Sequence, residues 1–305
     1  MKIEALIPLA GLLRTCGYEF TTVTPATHAR ILGRDPRRNA QDLRDFLGWN
    51  LPCQKPAPGT ALANAWEILR EEGMLDRGNR ARIRFSTLDS LLIAHSGYPT
   101  VEEEAVFFGP DTYRFIRFLR SEVREASHAL DLGCGSGAGG LSLASRCERV
   151  TLSDVSKRAL LFADANARIN GWPEVASCVA LSDGIPKAVV PFDLIACNPP
   201  FLLDKRGRTY RHGGGEFGEA LSLRFLSEGL QALSPGGRVV MYTASAVISG
   251  RDFLKEQVYG MARALGFRLE YEEIDPDIFP EELDRSAYAP ADRICAVGIV
   301  ARKSA

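Results

Sequence analysis

The hydrophobic pattern divides the chain into two textures. Up to about residue 105 it is mostly helical, with short strand-like pieces. In Ala61–Leu75 (ALANAWEILREEGML), Leu62, Ala65, Trp66 and Leu69 recur at helical spacing, and Gly73 offers a stop. Arg80–Thr87 (RARIRFST) then alternates, which puts Ile83 and Phe85 on one face of a strand and Arg82 and Arg84 on the other. The stretch Gln54–Gly59 (QKPAPG), after Pro52, reads as a loop. From about residue 106, short apolar strands alternate with helices. The pattern predicts strands at Ala129–Leu132, Val150–Ser153, Ser177–Leu181, Phe192–Cys197, Arg238–Thr243, Arg268–Ile274 and Ile294–Ala301. Helices are predicted at Lys157–Asn170, Ala220–Leu233 and Asp252–Leu265. Such alternation implies a mainly parallel sheet covered on both faces. The last two strands are joined by Asp275–Ala291, rich in proline and acids, which permits an antiparallel hairpin at the sheet edge.

Two domains are therefore expected: residues 1–105 as an accessory or substrate-recognition unit, and residues 106–305 as the α/β catalytic unit. The helix, turn and basic strand around residues 61–87 resemble a winged-helix module, a fold that holds nucleic acid or a partner in some proteins and only packs on a neighbour in others. Composition agrees with a globular protein: 305 residues, 46% hydrophobic and 25% charged, enough to bury a core without staples. A formal net charge of -1 excludes a uniformly basic nucleic-acid coat but allows a local basic patch. The seven cysteines (Cys16, Cys53, Cys134, Cys147, Cys178, Cys197, Cys295) form no CxxC pair and no zinc-spaced cluster, so reduced thiols and no metal are expected. With no signal-peptide pattern and no apolar run near the ~20 residues that span a bilayer, a soluble cytoplasmic protein is the expectation.

Chemistry enters at Ala129–Gly140 (ALDLGCGSGAGG), where an apolar strand runs into a glycine-dense turn and then a helix near Gly139. Glycines let the backbone turn sharply and approach a ligand closely. Gly135, Gly137 and Gly140 satisfy a G-x-G-x-x-G spacing, so a dinucleotide is one reading. Asp131 argues against it. A carboxylate at the strand end repels a pyrophosphate but suits a donor with an ammonium and no phosphates, such as S-adenosylmethionine. Asp154 ends the next strand, where a carboxylate can accept from two ribose hydroxyls. Asp183 follows the third strand as either a ligand contact or a surface-turn acid.

The fourth predicted strand ends in IACNPPF. An amide or exocyclic amino nitrogen is a poor nucleophile because its lone pair is delocalised. Two acceptors, the Asn198 side-chain oxygen and the Pro199 carbonyl, can hold its hydrogens and aim the lone pair at a methyl carbon. Pro199 and Pro200 fix φ and bring no competing donor. Phe201 offers a flat face for a planar group.

The D-x-G-x-G-x-G pattern at Asp131, Gly133, Gly135 and Gly137, with NPPF at Asn198–Phe201, resembles the class I methyltransferases of the small-domain type, and within them the HemK-type branch that methylates a glutamine amide in translation release factors. The resemblance spans roughly residues 106–245. It implies a Rossmann-like seven-stranded sheet and S-adenosylmethionine as cofactor. It also implies that the glycine loop wraps the methionine part of the donor and that Asp183 holds the adenine amino group. Phe107–Tyr113 (FFGPDTY) resembles the branch's Pro-x-Asp/Glu-Thr segment, which places Thr112 at the donor site, and Arg211–Gly218 (RHGGGEFG) resembles its glycine-rich loop. Tyrosine is common in the branch at the last motif position. Phe201 there is also usual in enzymes acting on base amino groups in RNA.

The resemblance therefore implies an N-methyltransferase whose partner is a macromolecule. A protein such as a translation factor is slightly favoured, RNA or DNA is the alternative, and a non-catalytic donor-binding module is a further one. In Lys205–Gly218, Arg206, Arg208, Arg211 and His212 are candidates for touching an acidic surface or phosphate backbone, with the glycines as a lid hinge. His212 is not needed as a base, and Cys134 and Cys197 are expected to pack.

Overall fold

The computed structural model describes residues 3–36, 38–176, 178–187, 191–204 and 207–303. Its centre is a sheet made of β3 (Ala126–Leu132), β4 (Cys147–Asp154), β5 (Cys178–Leu181), β6 (Phe192–Cys197), β7 (Leu233–Ile248), β9 (Arg268–Asp275) and β10 (Arg293–Arg302). The spatial order is β5-β4-β3-β6-β7-β10-β9, with the two-residue β8 (Arg251–Asp252) pairing with β7. β5, β4, β3, β6 and β7 run parallel, whereas β10 is antiparallel to both of its neighbours. The predicted hairpin at the sheet edge is therefore present. The chain order reverses direction across the sheet between β3 and β6, and in open α/β sheets ligands bind beyond the strand C-termini at such a point.

The helices begin where capping chemistry is available. Ser156 accepts from the Ala159 amide (3.3 Å) to start α7 (Lys157–Ile169), and Asp252 accepts from the Lys255 amide (2.9 Å) to start α9 (Phe253–Leu265). Pro110 opens α5 (Pro110–Glu122) in its first turn, and α8 (Ala220–Ala232) covers β6 and β7. Two expectations shift. The helix after the glycine turn, α6 (Ala138–Leu141), is a single turn, because the chain has only a few residues in which to reach β4. The fifth expected strand, Arg238–Thr243, extends to sixteen residues because β10 pairs along most of it. Ser177 lies outside the described residues.

The N-terminal region contributes α1 (Leu6–Thr15), α2 (Pro25–Gly33), α3 (Leu43–Leu47), α4 (Ala61–Glu71) and the hairpin β1 (Ile83–Leu88)–β2 (Leu91–Ser96). Leu9, Leu13, Leu62, Trp66, Leu69, Ile83 and Phe85 bury together, and Phe162 and Ile169 of α7 join the same cluster. The outer edge of β2 is closed by two asparagines one turn apart, Asn166 on α7 and Asn170 at its C-terminal cap. Asn166 gives its amide nitrogen to the Ala94 carbonyl (2.9 Å) and accepts from the Ala94 N–H (2.8 Å). Asn170 does the same with Leu92, at 2.9 and 3.0 Å. Side-chain amides thus take the place of a third strand and satisfy an edge that would otherwise be unpaired.

This packing shows where the arginines of the expected basic strand go. All six residues of β2 are buried, and on β1 Arg84 is only 4% exposed. Its guanidinium lies 3.5 Å from His28 Nδ1 and 6.0 Å over the Tyr98 ring. Burial pulls its pKa down to about 10 and, with the nearby Arg84 charge, pulls His28 down to about 4. Arg82 does remain exposed. No helix among the described residues is long and apolar enough to cross a membrane.

Candidate active site

The parallel strands bring the predicted residues to one edge. In register, Leu132 pairs with Ser153 on one side and with Cys197 on the other, so Asp131, Asp154 and Asn198 emerge from three adjacent strand ends. A single cavity is lined by Thr112, Asp131, Gly133, Gly135, Asp154, Asp183 and the whole Asn198–Phe201 motif. Gly133, Gly135 and Gly137 take φ of +70°, +53° and +76°, a left-handed backbone that only glycine adopts freely, so this turn requires its glycines. Gly137 lies under the turn, against Ala163 of α7.

Asp131 is 2% exposed and accepts from the Gly140 N–H (2.7 Å). No cationic side chain pairs with it among the described residues. Burial pushes its carboxyl up to about 7, the Gly140 amide opposes the rise, and the neighbouring Asp154 adds to it. A buried carboxyl in this state favours an incoming cation, since an ammonium beside it restores its charge. Asp154 is half-buried, and its oxygens accept from the Gly135 (2.9 Å) and Ser156 (2.8 Å) amides, which fixes the carboxylate while leaving further lone pairs. Burial raises its pKa against those amides. Beside it Val155 turns an apolar side chain, 56% exposed, into the same cavity. A buried carboxyl for an ammonium, an acceptor pair for vicinal hydroxyls and an apolar face for a base fit S-adenosylmethionine.

Asp183 stands at the cavity rim, exposed, in an ion pair with Arg224 (2.6 Å) that lowers its pKa. Its carboxylate is thus already engaged by a neighbour. Thr112 accepts from the Gly109 N–H (3.3 Å) in the first turn of α5. The residue before it, Asp111, was missed as a separate feature. It is 5% exposed, accepts from Tyr242 Oη (2.8 Å) and lines the cavity, and burial raises its pKa.

The Asn198–Phe201 corner is supported from far along the chain. Asn198 and Phe201 are half-buried, and the Phe201 ring lies 6.3 Å from Tyr242 and 6.0 Å from Phe279. The glycine-rich segment folds back onto the motif. A Cβ on Gly213 would sit 2.7 Å from the Pro200 oxygen, and one on Gly218 would sit 2.2 Å from the Phe201 oxygen. These two glycines therefore serve close backbone packing on the motif, not a free hinge. Tyr288, 1% exposed, accepts from the Leu203 amide (2.9 Å) and donates to the Phe217 carbonyl (3.1 Å), which ties both ends of the loop together.

The basic loop is also turned inward. Arg208 pairs with the buried Asp204 (2.8 Å) and holds its carboxyl well below the usual range. Arg211 pairs with Glu282, itself 1% exposed, and His212 Nδ1 accepts from the Asp204 amide (3.2 Å). The guanidinium row expected to face phosphates is in this part committed to internal carboxylates; Arg206 lies outside the described residues. Tyr210 and Phe107 stack at 6.1 Å over the cavity, and Tyr210 Oη donates to the Thr100 carbonyl (2.7 Å), so the loop is fastened to the segment before α5. Cys134 and Cys197 are buried, and their thiols are raised by burial, as expected of packing residues. No cluster of His, Cys, Asp and Glu suited to a metal occurs among the described residues.

Residues 112–263, about half of the chain, match the family described as methyltransferase small domain. The chain belongs to that family. A release factor glutamine methyltransferase from Chlamydia trachomatis serovar L2 is 41% identical over 179 residues, covering 55% of this chain and 58% of that protein. The chain thus spans a little over half the length of this curated relative. The ribosomal RNA large subunit methyltransferase G of Pseudoalteromonas translucida is 31% identical over 112 residues, covering 33% of this chain and 29% of that protein. Among solved structures, Trm5b from Pyrococcus abyssi superposes with a TM-score of 0.51 at 18% identity, over 73% of this chain and 56% of its own. At that identity the likeness concerns the fold. The small-domain methyltransferase match opens inside α5 and closes inside α9, so it contains the glycine turn and the NPPF corner but not the β9–β10 loop that carries Phe279, Glu282 and Tyr288. The expected class I methyltransferase of the small-domain type, an S-adenosylmethionine family, is borne out.

Proposed function

We propose that the protein transfers the methyl group of S-adenosylmethionine to a side-chain amide nitrogen, that of a glutamine in a protein substrate. The observation that carries this reading is the shared edge: Asp131 and Asn198 leave the ends of β3 and β6, which pair directly, into one cavity. Bound there, S-adenosylmethionine supplies an electrophilic methyl on a sulfonium. In this reading Asp131 binds its ammonium, Asp154 its ribose hydroxyls, and Thr112, Gly133, Gly135 and Asp183 line the rest of the donor, while Gly137 shapes the turn from beneath. The Asn198 side-chain oxygen and the Pro199 carbonyl accept the two amide hydrogens. They bend electron density back onto the nitrogen and meet the positive charge that grows there. Pro200 stiffens the turn and Phe201 lies along the planar group. The proton leaves after transfer, when the nitrogen is cationic, so no side chain has to remove it first.

The release factor enzyme from Chlamydia, at 41% identity, supports the amide over other planar nitrogens. Phe201 in place of tyrosine, and the ribosomal RNA enzyme among the relatives, favour a second reading, methylation of a base amino group in RNA. Residues 1–105 are then an accessory unit that presents a macromolecular substrate. Pro25 of α2 already reaches the cavity mouth. Incubating the purified protein and methyl-labelled donor with a bacterial release factor and, separately, with ribosomal RNA tests both readings. Label resistant to nuclease and released by protease on the release factor is expected. Label confined to RNA would select the second reading, and label on neither would reject both.

A further inference from the structure

The loop between β9 and β10 carries an element that neither the donor site nor the NPPF motif accounts for. Phe279 has φ +55° and ψ +51°, a left-handed backbone on a bulky residue, and it lines the cavity against Phe201. Such strain persists only where the surroundings over-determine it, and it collects at functional sites. Here the surroundings are visible. The Phe279 carbonyl accepts from the Glu282 amide (2.9 Å), and Glu282, 1% exposed, pairs with Arg211 and with Arg285 (2.9 Å). The Arg211 guanidinium in turn sits 6.0 Å over the Phe279 ring. A buried ion pair therefore clamps the ring from the loop that follows the motif.

We propose that Phe279 is the second wall of the acceptor slot and sets its width for a side-chain carboxamide and against a nucleobase. The proposal rests on reading Asn198–Phe201 as the methyl-acceptor corner. A base sandwiched between two rings needs them parallel and about 7 Å apart, twice the contact distance of stacked carbons. The Phe201 and Phe279 rings are 6.0 Å apart and tilted by 52°. At that spacing and tilt the two rings touch each other and leave no gap between them, so Phe279 stands at the side of the Phe201 face and limits how broad a flat group can lie on it. Arg211 and Glu282 act as positioning residues, since they reach the acceptor only through this ring.

The test uses the full chain with labelled donor, a bacterial release factor and ribosomal RNA, and compares wild type with Phe279→Gly and Phe279→Leu. Glycine removes the ring but tolerates the left-handed backbone, so relief of strain offsets part of the lost packing and Tm should fall only slightly. Donor Kd should not change. The kcat/KM on release factor should fall by about tenfold to a hundredfold, the scale of a misplaced acceptor, with Phe279→Leu in between. The share of label reaching RNA should grow. A Phe279→Gly enzyme with wild-type kcat/KM on release factor would overturn the second wall while leaving the amide reading intact. Parallel losses of Tm, donor affinity and turnover would overturn it in favour of a fold-supporting role. Wild type that labels RNA at least as well as release factor would overturn the amide reading, and the slot width with it.

Discussion

The two halves of the cavity are built in opposite ways. On the donor side, a turn between two adjacent parallel strands supplies nearly everything. Asp131, the three left-handed glycines and Asp154 all lie within residues 131–154, and the two carboxylates accept from nearby backbone amides, Asp131 from Gly140 and Asp154 from Gly135 and Ser156. On the acceptor side only Asn198–Phe201 is local. Its support comes from β7, from the loop after β6 and from the loop before β10, through Tyr242, Gly213, Gly218, Phe279 and Tyr288. A contiguous turn can hold one constant ligand with few residues. A corner walled by separate loops can change its acceptor by changing a loop, while the strand end that carries the chemistry stays fixed.

That contrast can be broken at either end. The largest effect is expected from Asn198→Ala, which removes one of two acceptors aimed at the reacting nitrogen. Turnover should fall about a hundredfold to a thousandfold with donor affinity intact, as measured by single-turnover transfer beside equilibrium donor binding. Loss of donor binding as well would mean that the two sides are not separable.

Asp131→Asn should do the reverse, and pH gives it a signature. Between its ordinary range near 4 and about 7, folded Asp131 keeps a proton that the unfolded chain has lost. Its contribution to stability therefore declines as pH rises through that window and is flat above it. The asparagine variant should abolish this decline and be more stable than wild type at pH 8 by about 1–4 kcal/mol, while donor affinity drops at least about tenfold. Thermal unfolding from pH 5 to 8 reads the first part. An unchanged slope would show that Asp131 does not hold the proton.

A smaller effect, on the frame common to both halves, is expected from Asn166→Ala. Its side chain serves the β2 edge and also donates to the Ser136 carbonyl (2.9 Å) in the glycine turn. Leaving these buried groups unpaired should cost about 1–3 kcal/mol, with only a slight loss of donor affinity. Denaturant unfolding would detect it, and full wild-type stability would mean that water replaces the amide.

Much of this was legible in the sequence where the signal is local. Each expected strand of the α/β half is present, β7 alone running well past its expected bounds, and the parallel strands of the sheet centre were readable because strands buried on both faces show as continuous apolar runs. The glycine turn and NPPF could be read because each chemistry lies within a few consecutive residues. What could not be read was pairing over distance. Arg84, Arg208 and Arg211 look alike as charges in a sequence, yet one is buried against His28 and two are bound to Asp204 and Glu282. Phe279 lies in a proline-rich acidic stretch with no periodicity, so nothing local marks it as part of the site.

The account stands on a cavity that accepts a cationic nucleoside without phosphates at Asp131. Calorimetric titration of the unmodified protein with S-adenosylmethionine and with NAD, at pH 6 and pH 8, tests that directly. Saturable binding of S-adenosylmethionine that tightens at the higher pH, with none of NAD, is the predicted result. Binding of NAD, or no binding of S-adenosylmethionine at either pH, would contradict it.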